Sequence, residues 1–179
     1  ALKGGGAKNA ACADFKEHAA EPDPDNDQSV GFVLKFGKFD FIDMGDVTWN
    51  YEQKLVCPAN LLGTVDLYQT THHGLERSNS PQFVWAIQPT VMVMNNGPRK
   101  GGPASVFEVL RKSPGLEDIW QGHLALATPR EVNTDEKMIA NLETSKDCPG
   151  NLLKLSVAPD GKYTMTNLRN GFSKTYQAK

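Results

Sequence analysis

Val65-Asp66-Leu67-Tyr68-Gln69-Thr70-Thr71-His72-His73-Gly74 runs from a short stretch of β formers into a pair of histidines and a glycine. The β-branched and aromatic residues predict a strand over Val65–Thr70, and the glycine punctuates its end. Upstream, Phe39-Asp40-Phe41-Ile42-Asp43-Met44-Gly45-Asp46 reads as a second strand that also finishes in a glycine and a carboxylate. Two strands that each deliver polar chemistry at the carboxyl end, with a helical stretch over Val47–Val56 between them, predict an α/β architecture.

The flanking sequence extends that pattern. Phe32, Leu34 and Phe36 alternate with Val33 and Lys35, and Gly37-Lys38 then makes a two-residue turn into Phe39, a hairpin signal. Ser80-Pro81 reads as an N-cap followed by proline at the first helical position, with Phe83, Val84 and Ile87 on one face. Thr90–Met94 is a short apolar strand, and Pro103 opens a helix carrying Val106, Val109 and Leu110 at three- and four-residue spacing. Ile119–Ala127 is strand-like and Asn133–Leu142 is assigned as a short helix. Leu152–Val157 and Tyr163–Thr166, joined through Pro159-Asp160-Gly161, predict a C-terminal β-hairpin; Asn167–Phe172 beyond it is a polar turn or surface strand without a chemical role. Residues 1–28, with Lys3-Gly4-Gly5-Gly6 and Glu21-Pro22-Asp23-Pro24-Asp25, form an irregular leader. The expectation is a mixed β-sheet layered with helices across residues 29–179.

Bulk properties narrow the function classes. The 179 residues suffice for one domain that buries about 70% of its unfolded surface. The formal charge of −2 offers no net attraction to polyanions, which favours a small-molecule substrate over nucleic acid. No apolar run approaches the roughly 20 residues that span a bilayer. Cys12, Cys57 and Cys148 form no Cys-x-x-Cys pair; they read as buried free thiols, or as one disulfide such as Cys12–Cys148, and leave the compartment open. Ala1 stands where an initiator Met would, so we expect a processed, trimmed or partial chain.

Three sets of residues can carry chemistry. Asp46 is either a turn or N-cap carboxylate or a metal ligand. His72 and His73 are either exposed loop histidines or ligands; on an extended chain adjacent side chains diverge, so one of the two is expected to face Asp46. Asn95-Asn96-Gly97-Pro98-Arg99-Lys100-Gly101-Gly102 lies between a buried strand and a helix, and is either a solvated turn or an anion site built on Asn96, Arg99 and Lys100. Ser78, Ser80 and Cys57 lack a nucleophile elbow or a recognisable base.

Together, Gly45-Asp46 and, about 26 residues on, Thr71-His72-His73-Gly74 resemble segments at successive strand ends in the C-terminal half of the metallo-β-lactamase-fold hydrolases. The subgroup containing the extracellular domain of the competence protein ComEC is the most similar. Asn26-Asp27-Gln28-Ser29 is similar to an Asn-x-x-Ser of that subgroup, whereas Leu75 stands where a serine is usual. The likeness covers about residues 26–127. It implies half of an αββα sandwich, a hydrolase with two zinc ions, Asp46 as bridging ligand, His72 as the late histidine ligand and His73 in a catalytic or substrate-contacting position.

The family's His-x-His-x-Asp-His motif is absent from this sequence. Zinc takes three or four protein ligands. His18, in the leader, and His123, in a strand, read as bystanders. The resemblance therefore implies a metal-dependent hydrolase of esters, amides or phosphodiesters whose other ligands come from a missing N-terminal half, in the same precursor or in a second chain. The alternative is a metal-free half-domain kept for binding or assembly.

Overall fold

The computed structural model describes residues 6–17, 19, 25–143, 145 and 148–179. His18 and much of the acidic, proline-broken leader therefore lie outside the described residues. In chain order the strands are β1 (Ala7–Lys8), β2 (Phe32–Phe36), β3 (Phe39–Asp43), β4 (Ala59–Asn60), β5 (Leu67–Gln69), β6 (Val91–Met94), β7 (Asp118–His123), β8 (Ile139–Asn141), β9 (Leu153–Val157), β10 (Lys162–Asn167) and β11 (Ser173–Gln177). The helices are α1 (Trp49–Val56), α2 (Pro81–Ile87) and α3 (Ala104–Arg111).

The main sheet has six strands in the order β2-β3-β5-β6-β7-β8. β2 and β3 pair antiparallel, and every later pair is parallel. The chain steps across the sheet in one direction through α1, α2 and α3. Right-handed crossovers made in one direction place all three helices on the same face. That face holds the larger core, in which Ile42, Tyr68 and Met92 of the sheet meet Phe83, Val84, Ile87, Phe107 and Leu110.

The alternate residues of the same strands point the other way, as a period of two requires. Phe39, Leu67, Val91 and Trp120 pack there against Tyr163, Met165 and Tyr176 of a separate three-stranded sheet, β11-β10-β9. Trp120 Nε1 donates to the Tyr176 hydroxyl at 3.0 Å, and Phe172 stacks on the Trp120 ring. The protein is thus a mixed α/β fold: helices, a six-stranded sheet, then a small antiparallel sheet. No helix among the described residues is long and apolar enough to cross a membrane.

The C-terminal hairpin is in fact a three-strand meander. β11 escapes sequence reading because Ser173, Lys174 and Thr175 are polar and Tyr176 is its one buried side chain. Asn167–Phe172 is the turn into it, held by Asn167 accepting from Arg169 N and by Asn170 accepting from Phe172 N. The expected helix over Asn133–Leu142 is absent: Glu136–Met138 is a single 3-10 turn that leads into β8. Asn133 prevents a helix there, because its carboxamide is taken up by Gln121 Nε2, Ala125 N and the carbonyls of Ala125, Thr128 and Pro129.

The leader is also more ordered than its composition predicts. β1 pairs with β4, a 3-10 helix spans Ala10–Asp14, and Cys12 is disulfide-bonded to Cys57. The reading of free thiols and the Cys12–Cys148 pairing are both corrected; Cys148 is the free one.

Candidate functional site: the Asp46–His73 pair

Because β3, β5, β6 and β7 are parallel, their carboxyl ends lie along one edge. The segments that follow them converge there, which is where open α/β sheets place their chemistry. The Gly45-Asp46 turn follows β3, the Thr71–Gly74 turn follows β5 and the Asn95–Gly102 loop follows β6.

Asp46 is not a helix cap. The N-cap of α1 is Thr48, and Asp46 lies in the turn before it, its N–H donating to Ser29 Oγ at 3.2 Å. Asp43, two residues earlier, is occupied: Oδ1 accepts from Gly45 N at 2.9 Å and Oδ2 from Gln69 Nε2 at 2.6 Å. The Asp46 carboxylate faces His73, with Oδ1 3.7 Å from Nε2 and both side chains about one-third exposed, at 35% and 31%.

The histidines do not lie on an extended strand. His72 (φ 54°), His73 (φ 59°) and Gly74 (φ 72°) are three consecutive left-handed residues. Each non-glycine residue in that region costs of order 1 kcal/mol or more, so the surroundings must impose the turn. They do so at several points. Tyr68 OH accepts from Thr71 N at 2.8 Å and donates to Asn79 Oδ1 at 2.8 Å. Asn79 Nδ2 in turn donates to the carbonyls of Thr71 and Leu75. His72 N donates to Gly45 O at 2.9 Å, tying the turn to the Asp46 loop. On the far side Gly102 N donates to Gly74 O at 3.0 Å.

This turn presents the two imidazoles differently. His73 Nδ1 lies 3.1 Å from the Asn95 carbonyl, which can only accept; the proton therefore sits on Nδ1, and Nε2 is directed at Asp46. His72 is 6% exposed, and its Nδ1 is 3.4 Å from Ser78 Oγ, whose own proton goes to Val47 O at 2.7 Å. His73 thus stands against Asp46, a position additional to His72, which the resemblance implied as the late histidine ligand.

Asn96 is 6% exposed and turned inward, its Nδ2 donating to His123 O at 2.7 Å and Gly97 O at 3.0 Å. Arg99 and Lys100 are exposed and border a shallow hollow of about 380 Å³ with Gly97 and Pro98. His123, read as a hydrogen-bonded strand residue, has Nδ1 2.9 Å from Leu124 O and Nε2 2.8 Å from Glu143 O. Cys57 is unavailable as a nucleophile because it is in the disulfide. Two supports that sequence reading missed are the Asn95 carbonyl and the Tyr68–Asn79 brace. A backbone carbonyl leaves no mark in side-chain chemistry, and Tyr68 reads simply as a strand residue.

The donor set can be tested against zinc. A separation of 3.7 Å is too long for a hydrogen bond. It lies near the roughly 3.4 Å edge of a tetrahedron with zinc bonds of about 2.0–2.2 Å. A ring nitrogen protonated toward a backbone carbonyl, with the other left free, is also the usual arrangement of a ligating histidine. The number of ligands falls short. Among the described residues no group of three or more His, Cys, Asp or Glu side chains converges. The described residues bring one carboxylate and one imidazole nitrogen to this spacing. No family model matches the chain, and no curated protein matches it.

Proposed function

We propose that this chain is the C-terminal half of a metal-dependent hydrolase of the metallo-β-lactamase kind, with Asp46 and His73 as two ligands of a zinc site. The observation that carries the reading is the Asp46–His73 pair: a carboxylate and an imidazole nitrogen 3.7 Å apart, the ring fixed from behind by the Asn95 carbonyl. His72, held beside Ser78, is a third candidate within the same turn. The remaining ligands come from a polypeptide segment beyond the described residues, in the same precursor or in a second chain. When bound, zinc lowers the pKa of a coordinated water to about 7 and supplies the hydroxide for ester, amide or phosphodiester cleavage.

The chain's own residues have defined tasks. Asn95 holds the His73 proton on Nδ1 and leaves Nε2 as the ring atom directed at Asp46. The left-handed turn fixes both imidazoles before any ligand arrives, so little ordering entropy remains to be lost on binding. Arg99 and Lys100, at the tip of the next loop, offer positive charge to an anionic substrate. The overall charge of −2 gives no net attraction to a polyanion, which favours a small molecule over nucleic acid.

Zinc titration followed by emission spectrometry tests the reading. Zinc should bind once the segment that completes the site is present, and Asp46→Ala and His73→Ala should each weaken binding by roughly tenfold or more, with circular dichroism unchanged. His72→Ala separates a ligand from a structural role: it lowers zinc affinity in the first case and only stability in the second. A folded protein that takes up no zinc, alone or in its natural assembly, would leave the metal-free binding or assembly module as the reading.

A further inference from the structure

β2 is an outer strand of the main sheet, and among the described residues nothing pairs with its other side. It carries an apolar row on the face away from the helices: Phe32 is 48%, Leu34 48% and Phe36 47% exposed. Soluble proteins guard such edges with proline, bulges or outward lysines. β2 lacks two of these devices: its sequence contains no proline, and its register with β3 is unbroken from Phe32↔Asp43 to Phe36↔Phe39. Its one lysine, Lys35, is 53% exposed and lies 3.7 Å from Asp40 of β3.

The hairpin geometry fixes which backbone groups are available. A two-residue turn makes its closing pair a hydrogen-bonded one, so Phe36–Phe39, Leu34–Phe41 and Phe32–Asp43 exchange bonds with β3. The N–H and C=O groups of Val33 and Lys35 are then directed outward. We propose that β2 is a homodimer interface, pairing antiparallel with β2 of a second copy about a two-fold axis at Leu34.

In this register Val33 of each copy exchanges hydrogen bonds with Lys35 of the other, so both outward residues are satisfied. Phe32 meets Phe36 across the interface, Leu34 meets its own copy, and each Lys35 lies across from a Val33. A register centred on Lys35 would set lysine against lysine, and one centred on Val33 would run Lys35 against Gly31. The β2 sequence is therefore self-complementary in a single favourable alignment.

The choice of edge pairing over face docking rests on area. With roughly 100 Å² open on each phenylalanine, the row amounts to a few hundred Å², below the ~800 Å² per partner of a stable interface. Backbone bonds of a continued sheet supply what the apolar row lacks. The interface uses none of the zinc ligands, so loss of the dimer and loss of zinc binding are separate outcomes.

Velocity sedimentation of the 179-residue chain over a wide concentration range tests it. A species of twice the chain mass should form, and both Leu34→Lys and Lys35→Pro should remove it. The first sets like charges on the axis; the second deletes an outward N–H while leaving the bonds to β3 intact. Leu168→Lys, at a site 52% exposed elsewhere, should leave the dimer unchanged. In a Cys148→Ser background, Leu34→Cys should give a disulfide-linked dimer under mild oxidation, since paired residues of that type lie about 4.5 Å apart at Cα. A chain that stays monomeric throughout, one whose dimer survives both β2 variants, or one that associates at β2 only with a different polypeptide would overturn the proposal.

Discussion

Glu52 is a fully buried carboxylate that supports the site from one remove. On α1, it accepts from Asn79 N and Ser80 N, each at 2.8 Å, and so anchors the segment whose Asn79 braces the histidine turn. Burial pushes its pKa up to about 7, although the amides of Ser80 and Asn79 and the hydroxyls of Ser80 and Thr71 pull it down. An acid whose folded pKa is raised favours its protonated form in the native state. Its contribution is therefore fully present below the unfolded value near 4.5 and is lost as pH rises to about 7. Glu52→Gln removes this titration and leaves one backbone N–H facing an amide NH₂. In urea melts, the stability gap between the parent and Glu52→Gln should widen by about 3 kcal/mol as pH falls from 7 to 4.5. A gap independent of pH would show that Glu52 does not titrate in this window.

At the scale of elements, the carboxyl-end loops hold one another in place, and Gly101 is the tightest point. It is left-handed (φ 82°), and a Cβ there would fall 1.8 Å from the His73 carbonyl oxygen. Gly101→Ala must therefore push the loop off the histidine turn, at a cost of about 3 kcal/mol or more, combining backbone strain with overpacking. Zinc affinity should fall with it, whereas Gly97→Ala, where the nearest atom to a new Cβ is 4.0 Å away, should change neither property. Thermal melts with zinc titration of both variants check the pair. Much of this arrangement is legible in sequence. The β2–β3 hairpin, the Ser80-Pro81 start of α2 and the Pro103 start of α3 are local chemistry, and they form where local chemistry predicts. What the sequence hides is non-local. β8 exists because Gln121 and His123 offer it a parallel partner at Ile139 and Asn141. The left-handed path through His72 and His73 is imposed from Tyr68, Asn79 and Gly102, which no periodicity reveals. For that reason Asp46 and the histidine pair could be picked out by type, while the approach of His73 to Asp46 could not.

Across the whole molecule, the Cys12–Cys57 disulfide fastens the amino-terminal segment to the far end of α1 from Asp46. The two cysteines are 45 residues apart. Closing a loop of that size restricts the unfolded chain enough to stabilise the fold by up to about 4 kcal/mol. Noncovalent contacts hold the same junction: Asn9 Nδ2 donates to Gln82 O at 2.9 Å, and Gln82 Nε2 to Ala11 O at 3.1 Å. Reduction should therefore loosen the segment without unfolding the sheet. Cys12→Ser, Cys57→Ser and the double variant should all lose a similar amount of stability, because each breaks the same link. Reductant should lower the melting temperature of the parent and leave the variants unmoved. Zinc affinity gives the second readout. α1 is eight residues long, about 12 Å, and separates Cys57 from the Asp46 turn. If α1 acts only as a rigid spacer, the three variants lose stability and bind zinc as the parent does; a parallel fall in zinc affinity would mean that tension on α1 reaches Asp46.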